Sequence, residues 1–278
     1  MIINWLVKGD IHGDFRWMSN GCLKNYVPEE TAIILLGDAG FNYWLDKRDA
    51  RIKQEVNNKG YRFYCVRGNH EARPTDLSGM QYVYDDDVKG WLYIEPAYPN
   101  IRYLKDYGSY CFGKYHTAVI GGAYSVDKWW RLERAGVKGS KDWKYWKPQK
   151  TGWFPNEQLT AEEMKDAEDT LGGLSYDFVM THTCPVSWEP TDLFLSSISQ
   201  SDVDKSMELW LEKFKGMIQW KVWLFGHFHA DRVERPHVEM FYKDIEPLED
   251  IAARWENYDN GIELDWWLTK SPYYWMEV

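Results

Sequence analysis

Side chains able to hold a metal ion stand at or just past the ends of apolar runs in this sequence: Asp10, His12, Asp38, Asn69, His70, His182, His227 and His229. Arg67 precedes the Asn69-His70 pair. Carboxylate, amide and imidazole donors without thiolates suit Mn, Fe or Zn better than Mg or a structural zinc site. Even seven such ligands are too many for one metal with an open position. They fit two metals sharing a bridging carboxylate. Such a pair, about 3.5–4 Å apart, can clamp both the attacking and leaving oxygens of a phosphoryl displacement. Spacing alone leaves open which ligand serves which metal.

Groups of this kind need rigid elements beneath them. The apolar runs Ile2–Val7, Ala32–Leu36, Phe63–Val66, Phe178–Met180 and Val222–Phe225 read as buried strands, each leading into one of the clusters. Between the first three, residues Asp14–Asn25 and Lys47–Asn58 predict helices, so the first third reads as a βαβ arrangement with a parallel sheet. Functional groups then gather outside the carboxyl ends of the strands. Short runs at Ile101–Leu104, Tyr110–Phe112 and Thr117–Gly121 predict a second, largely antiparallel sheet. A capping box at Thr160-Ala161-Glu162-Glu163 opens a helix that stops at Gly172-Gly173. A further helix, capped by Ser201, carries Val203, Met207, Trp210, Leu211 and Phe214 on one face.

With 278 residues and 44% hydrophobic content the chain can bury a large core, which excludes global disorder. A net charge of -10 argues against a generic nucleic-acid coat, though not against a locally basic site. The four cysteines lack C-x-x-C spacing and read as reduced, mostly buried thiols. No signal peptide or membrane-length run is apparent, so a cytoplasmic protein without a membrane partner is expected. Residues 126–150 form a basic, tryptophan-rich patch on this acidic chain. The expectation is one domain over 1–278, with a lid insertion at about 124–156 and an acidic, aromatic C-terminal extension at about 240–278.

The ordered motifs Gly-Asp-Ile-His-Gly-Asp, Gly-Asp, Arg-Gly-Asn-His-Glu, Thr-His and Gly-His-Phe-His, spanning residues 9–229, resemble the calcineurin-like metallophosphoesterase superfamily. The resemblance implies an α/β fold, a four-layer α/β/β/α sandwich with two mixed sheets and the metal site at the carboxyl ends of strands. It implies that Asp10, His12 and His229 hold a first metal, that Asp38 bridges, and that Asn69, His182 and His227 hold a second. Two divalent ions are implied as cofactors (Mn, Fe or Zn, with Mn favoured in vitro), their bridging hydroxide attacking phosphorus in line. His70 would protonate the leaving oxygen or steady its charge, and Arg67 would grip phosphate oxygens. The segment Gly121–Lys128 with Trp153-Phe154-Pro155 is similar to a little-described group of bacterial and phage-borne members.

The chain departs from the protein Ser/Thr phosphatase branch, in which an Asp-Arg-Gly run follows the second motif. Here Ala39-Gly40-Phe41 stands instead, which weighs against phosphoprotein substrates. The basic patch weighs toward nucleotide or nucleic-acid esters, with Lys128 and Arg131 on the phosphate, Trp129 or Trp130 stacked on a base and Tyr124 nearby. Set against this is a solvated flap whose tryptophans pack back on the sheets. His116 and His237 read as structural histidines, Asp14 as a supporting or capping residue, and Cys184 as a buried bystander. Two functions compete: a dinuclear phosphoesterase acting on a monoester or diester, and a non-catalytic metal-binding scaffold. A dinuclear amidohydrolase fits the ligand order poorly.

Overall fold

The computed structural model describes residues 2–136, 147–194, 196 and 199–262. A seven-stranded sheet is built from β1 (Asn4–Lys8), β2 (Thr31–Leu35), β3 (Arg62–Cys65), β4 (Gln81–Asp85), β5 (Gly90–Ile94), β6 (Ile101–Tyr103) and β13 (Ile245–Pro247), in the order β13-β1-β2-β3-β6-β5-β4. β1, β2, β3 and β6 run parallel, and the outer strands join antiparallel. A six-stranded sheet holds β7 (Tyr107–Phe112), β8 (Tyr115–Ile120), β9 (Ser175–Thr181), β10 (Gln219–Phe225), β11 (Arg232–Arg235) and β12 (Val238–Met240), in the order β11-β12-β10-β9-β8-β7.

This corrects the expected second sheet. Its centre, β8-β9-β10-β12, is parallel rather than antiparallel, and the Ile101 run belongs to the first sheet beside β3. Short turn-linked runs suggested hairpins, but only β7 and β8 among those runs form one. The parallel pairing arises because β8 and β9 are separated by a long excursion containing a helix.

Strict alternation along the central strands builds four layers. Trp5, Val7, Ala32, Ile34, Tyr64 and Val66 face Val119, Phe178, Met180, Val222 and Leu224 between the two sheets. The opposite residues of the first sheet, Leu6, Ile33, Leu35, Phe63 and Cys65, pack under α1 (Lys47–Asn57) through Val56. Those of the second, Ala118, Ile120, Val179, Trp223 and Phe225, pack under α4 (Ala161–Leu171) and α5 (Ser206–Phe214). Strands covered on both faces must be apolar throughout, which is why they read as continuous apolar runs rather than alternating ones.

The α4 capping box forms as expected: Thr160 Oγ1 accepts from the Glu163 N–H at 3.2 Å, and Glu163 Oε2 accepts from the Thr160 N–H at 2.8 Å. Two helix expectations do not hold. Asp14–Asn25 contains only a 3-10 turn at Arg16–Ser19 with no buried residue, so nothing stabilises a helical face there. Asp14 instead accepts from the Arg16 N–H at 3.0 Å and pairs with its guanidinium. The helix expected from Ser201 begins at Ser206. Val203 is extended, and Asp204 accepts from the Ser206 N–H at 3.0 Å in place of the expected cap.

In the stretch from residue 124, α2 (Lys128–Arg134) and α3 (Pro148–Thr151) flank residues outside the described set. Leu132 and Trp153 form a small apolar cluster of their own. Beyond residue 240, β13 pairs with β1, and α6 (Leu248–Asp259) buries Leu248, Ile251 and Trp255 in the core between the sheets. This part of the C-terminal stretch is integral to the fold; the aromatic runs at Trp266-Trp267 and Tyr273–Trp275 lie outside the described residues. Among the described residues no helix is long and apolar enough to cross a membrane.

Candidate metal centre

The registers of the parallel strands bring their carboxyl ends level. Lys8 pairs with Leu35, Leu35 with Cys65, and Thr181 with Phe225. The segments leaving β1, β2, β3, β9 and β10 therefore emerge at one rim, carrying Asp10, His12, Asp38, Asn69, His70, His182, His227 and His229. Seven non-glycine residues among those described have positive φ, and four are His12 (46°), Asp38 (47°), His227 (69°) and His229 (56°). Left-handed backbone costs free energy at such residues. Its concentration here turns four side chains inward at the expense of backbone comfort.

The two carboxylates are held alike. Asp10 Oδ1 accepts from the His227 N–H at 2.9 Å, and Asp38 Oδ1 accepts from the His70 N–H at 2.8 Å. Glycine precedes each donating segment for a steric reason: a Cβ at Gly226 would sit 2.3 Å from Asp10 Oδ1, and one at Gly68 2.0 Å from Asp38 Oδ1. With Oδ1 anchored, the Oδ2 atoms turn to the histidines. His229 Nε2 lies 3.4 Å from Asp10 Oδ2; His182 Nε2 and His12 Nδ1 lie 3.6 and 3.9 Å from Asp38 Oδ2.

Two further contacts orient candidate ligand atoms. The Leu36 carbonyl lies 2.7 Å from His182 Nδ1, so an Nδ1 proton has its acceptor there and Nε2 faces the site. Asn69 Nδ2 donates to Ser125 Oγ at 2.8 Å, which points Asn69 Oδ1 at His182 Nε2, 2.8 Å away. Ser125 in turn donates to the buried Glu157 carboxylate at 2.5 Å. Glu157 and Ser125 escaped the sequence reading, because neither belongs to a ligand-like cluster; the only signal was Ser125 within the Gly121–Lys128 segment.

Charge follows this geometry. Burial works against ionising Asp10 and Asp38, but His182 outweighs it, aided by His229 at Asp10 and by His70 and His12 at Asp38; both carboxyls are lowered, Asp38 well below its usual range. Burial likewise opposes a charge on His182, yet the Asp38 and Asp10 carboxylates push it up to about 9. His227 falls to about 3 through burial and the neighbouring His182 charge. Burial also lowers His70.

These residues fit a cation. Asp10, His12 and His229 offer donor atoms all within 4.8 Å of one another, as do Asp10, Asp38 and His182. The buried Asp10 Oδ2 has no hydrogen-bond partner, a costly state that a cation relieves. His12 Nε2 and His229 Nε2 face each other at 2.9 Å, where two lone pairs need a shared proton or cation between them.

A cavity of about 460 Å³ opens over this rim, lined in part by Asp38, Asn69, His70, His227, His229 and Tyr124. Arg67 does not line it. Its guanidinium is buried, donating to Asp106 at 2.5 Å and to the Glu157 and Gly68 carbonyls at 2.8 and 3.2 Å. Arg67 stands two residues beyond the end of β3, and its partners Asp106 and the Glu157 carbonyl, on loops distant in sequence, hold its guanidinium there. Arg131 is also engaged, with Tyr43 Oη, the Gly152 carbonyl at 2.9 Å and Asp127 at 2.8 Å. Lys128 Nζ lies over the rings of Tyr124, Trp129 and Trp153. Trp129 and Trp130 are exposed, and the cavity's lining includes neither. His116 bonds Ser109 and the Ser175 carbonyl, His237 pairs with Asp259, the Cys184 thiol is buried, and none of the three lines the cavity.

No curated protein matches the chain. The model of one family, described as calcineurin-like phosphoesterase, matches residues 4–231. That span holds every strand-end residue of the rim from Asp10 to His229, and the chain belongs to the calcineurin-like phosphoesterase family.

Proposed function

We propose that the protein is a dinuclear metal-dependent phosphoesterase. What carries the reading is the matched pair of carboxylates: each has one oxygen tied to a backbone N–H, with the other turned toward imidazole nitrogens. We assign Asp10, His12 and His229 to one metal, Asn69, His182 and His227 to the other, and Asp38 to both. Bound there, divalent ions would supply Lewis-acid stabilisation of phosphoryl oxygens and a nucleophilic water at neutral pH.

The chain's own residues do the rest. His70 lies in the cavity, its main chain fixed to Asp38 and its buried Nδ1 without a hydrogen-bond partner. A ring so held can deliver a proton to the leaving oxygen or donate a hydrogen bond as charge develops on it. Arg67 takes a positioning role, holding the Gly68 turn and the Glu157 loop from beneath. Arg131 acts near His70 through Tyr43, whose ring lies 6.3 Å from the imidazole. A protein phosphatase has less support: Ala39 and Phe41, which follow Asp38, are buried in the core and offer no carboxylate to orient His70.

The test is hydrolysis of p-nitrophenyl phosphate and bis(p-nitrophenyl) phosphate with Mn, Ni, Fe and Zn. Turnover of either ester that disappears in Asp38→Asn and falls in His70→Ala supports the assignment. Turnover that survives both contradicts it.

A further inference from the structure

The cavity extends from the rim to a region the metal centre does not use. Phe194 and Phe228 form a nearly parallel aromatic pair on its wall, with centroids 6.1 Å apart and planes at 21°. Phe228 also packs against the His227 ring, 4.9 Å away, so this wall is continuous with the metal centre. Beside it lies Glu208, on the first turn of α5. Glu208 is 5% exposed; its Oε1 accepts from Thr183 Oγ1 at 2.7 Å, and its Oε2 is buried without a partner.

The other carboxylates of this cavity are matched. Glu189 pairs with Lys205 at 2.6 Å, Asp127 with Arg131, and Asp38 sits among the histidines. Among the described residues Glu208 has no ion-pair partner. A flat aromatic wall beside one unsatisfied acceptor asks for a planar ring that carries a hydrogen-bond donor on its edge. The volume suits a small organic molecule, since such sites run from roughly 300 to 1,000 Å³.

We propose that this end of the cavity binds the nucleobase of a nucleotide ester, the base lying against Phe194 and Phe228 and its exocyclic amino group donating to Glu208 Oε2. Resting on the phosphoesterase reading for its context, the proposal moves base recognition from Trp129 and Trp130 of the basic patch to the Phe194–Phe228 wall. Glu208 here is a specificity residue, recognising the amino edge, and the aromatic pair supplies affinity common to all bases.

The test is calorimetric binding of adenosine and of purine riboside, which lacks the amino group, to the Mn-loaded protein. Measured above about pH 8, where the Glu208 carboxyl, raised by burial to about 7, is ionised, adenosine is expected to bind about ten-fold more tightly, the usual worth of a hydrogen bond to a charged group. Glu208→Leu should abolish that preference, whereas Phe194→Ala should weaken both ligands alike. Equal binding of the two nucleosides, a preference that persists in Glu208→Leu, or binding indifferent to Phe194→Ala would overturn the proposal. Protein that hydrolyses bis(p-nitrophenyl) phosphate but binds neither nucleoside sinks the base site alone. Protein with the full nucleoside preference but no hydrolysis of any ester sinks the phosphoesterase reading instead.

Discussion

Asp10 and His227 are 217 residues apart in sequence, yet the His227 N–H donates to Asp10 Oδ1 at 2.9 Å. The bond ties the tip of β1, in one sheet, to the tip of β10, in the other. It fixes one carboxylate oxygen and leaves the second, buried and without a hydrogen-bond partner, facing the histidines. The close passage requires glycine at 226, where any Cβ would strike the same carboxylate.

Gly226→Ala should therefore disrupt the centre without removing any ligand. The added methyl would lie 2.3 Å from Asp10 Oδ1, so the carboxylate or the turn has to move. Metal affinity is expected to fall at least about 10-fold, with the magnitude of an outer-shell defect or larger. Metal titration followed by competition with a chelator measures it.

Ser125→Ala removes the acceptor that orients the Asn69 amide, and it leaves the Glu157 carboxylate without its hydroxyl donor. Loss of such a supporting contact costs about 10–100-fold in metal affinity or activity. Because Ser125 touches no proposed substrate position, the decrease should follow metal occupancy and be partly recovered at high Mn.

Metal removal should lower thermal stability. The rim joins both sheets through side chains whose charges are mutually dependent. A ligand at 100 times its dissociation constant contributes about 2.7 kcal/mol, or roughly 5–10 °C in a chain of this size. Scanning calorimetry with Mn and with excess chelator should differ by that order.

Glu208 gives a pH signature of its own. Burial raises its carboxyl from 4.5 to about 7, against which the Thr183 hydroxyl works only partly. The folded chain then holds a proton that the unfolded chain releases. That advantage is complete below about pH 4.5, shrinks as pH rises, and is gone above about pH 7. A shift of this size corresponds to about 3 kcal/mol. Glu208→Gln, which cannot ionise, should gain stability relative to the parent between pH 5 and pH 8; denaturant midpoints at the two values check the sign.

The parallel strands were legible because their residues face packing layers on both sides, so Ile33-Ile34-Leu35 has no choice but to be apolar. Ligand candidates were legible because each follows such a run. Arg67 was harder: its type suits phosphate, but its direction depends on Asp106 and the Glu157 carbonyl, partners contributed by distant loops. The pairing of Ile101–Tyr103 with β3 had no local signal either, since a three-residue strand takes its sheet from what it meets. Helix ends failed where a side chain offered a local alternative, as Asp14 does to Arg16. Glu208 belongs to no motif in the sequence, and only its burial beside the cavity distinguishes it from an exposed acid.

Metal content measured together with turnover tests the central claim most directly. The account predicts two divalent ions per chain after reconstitution with Mn, hydrolysis of at least one nitrophenyl phosphoester, and loss of both second-ion occupancy and hydrolysis in Asp38→Asn. A stoichiometry well under two, with no turnover of any ester, would contradict it and leave a metal-binding scaffold in its place.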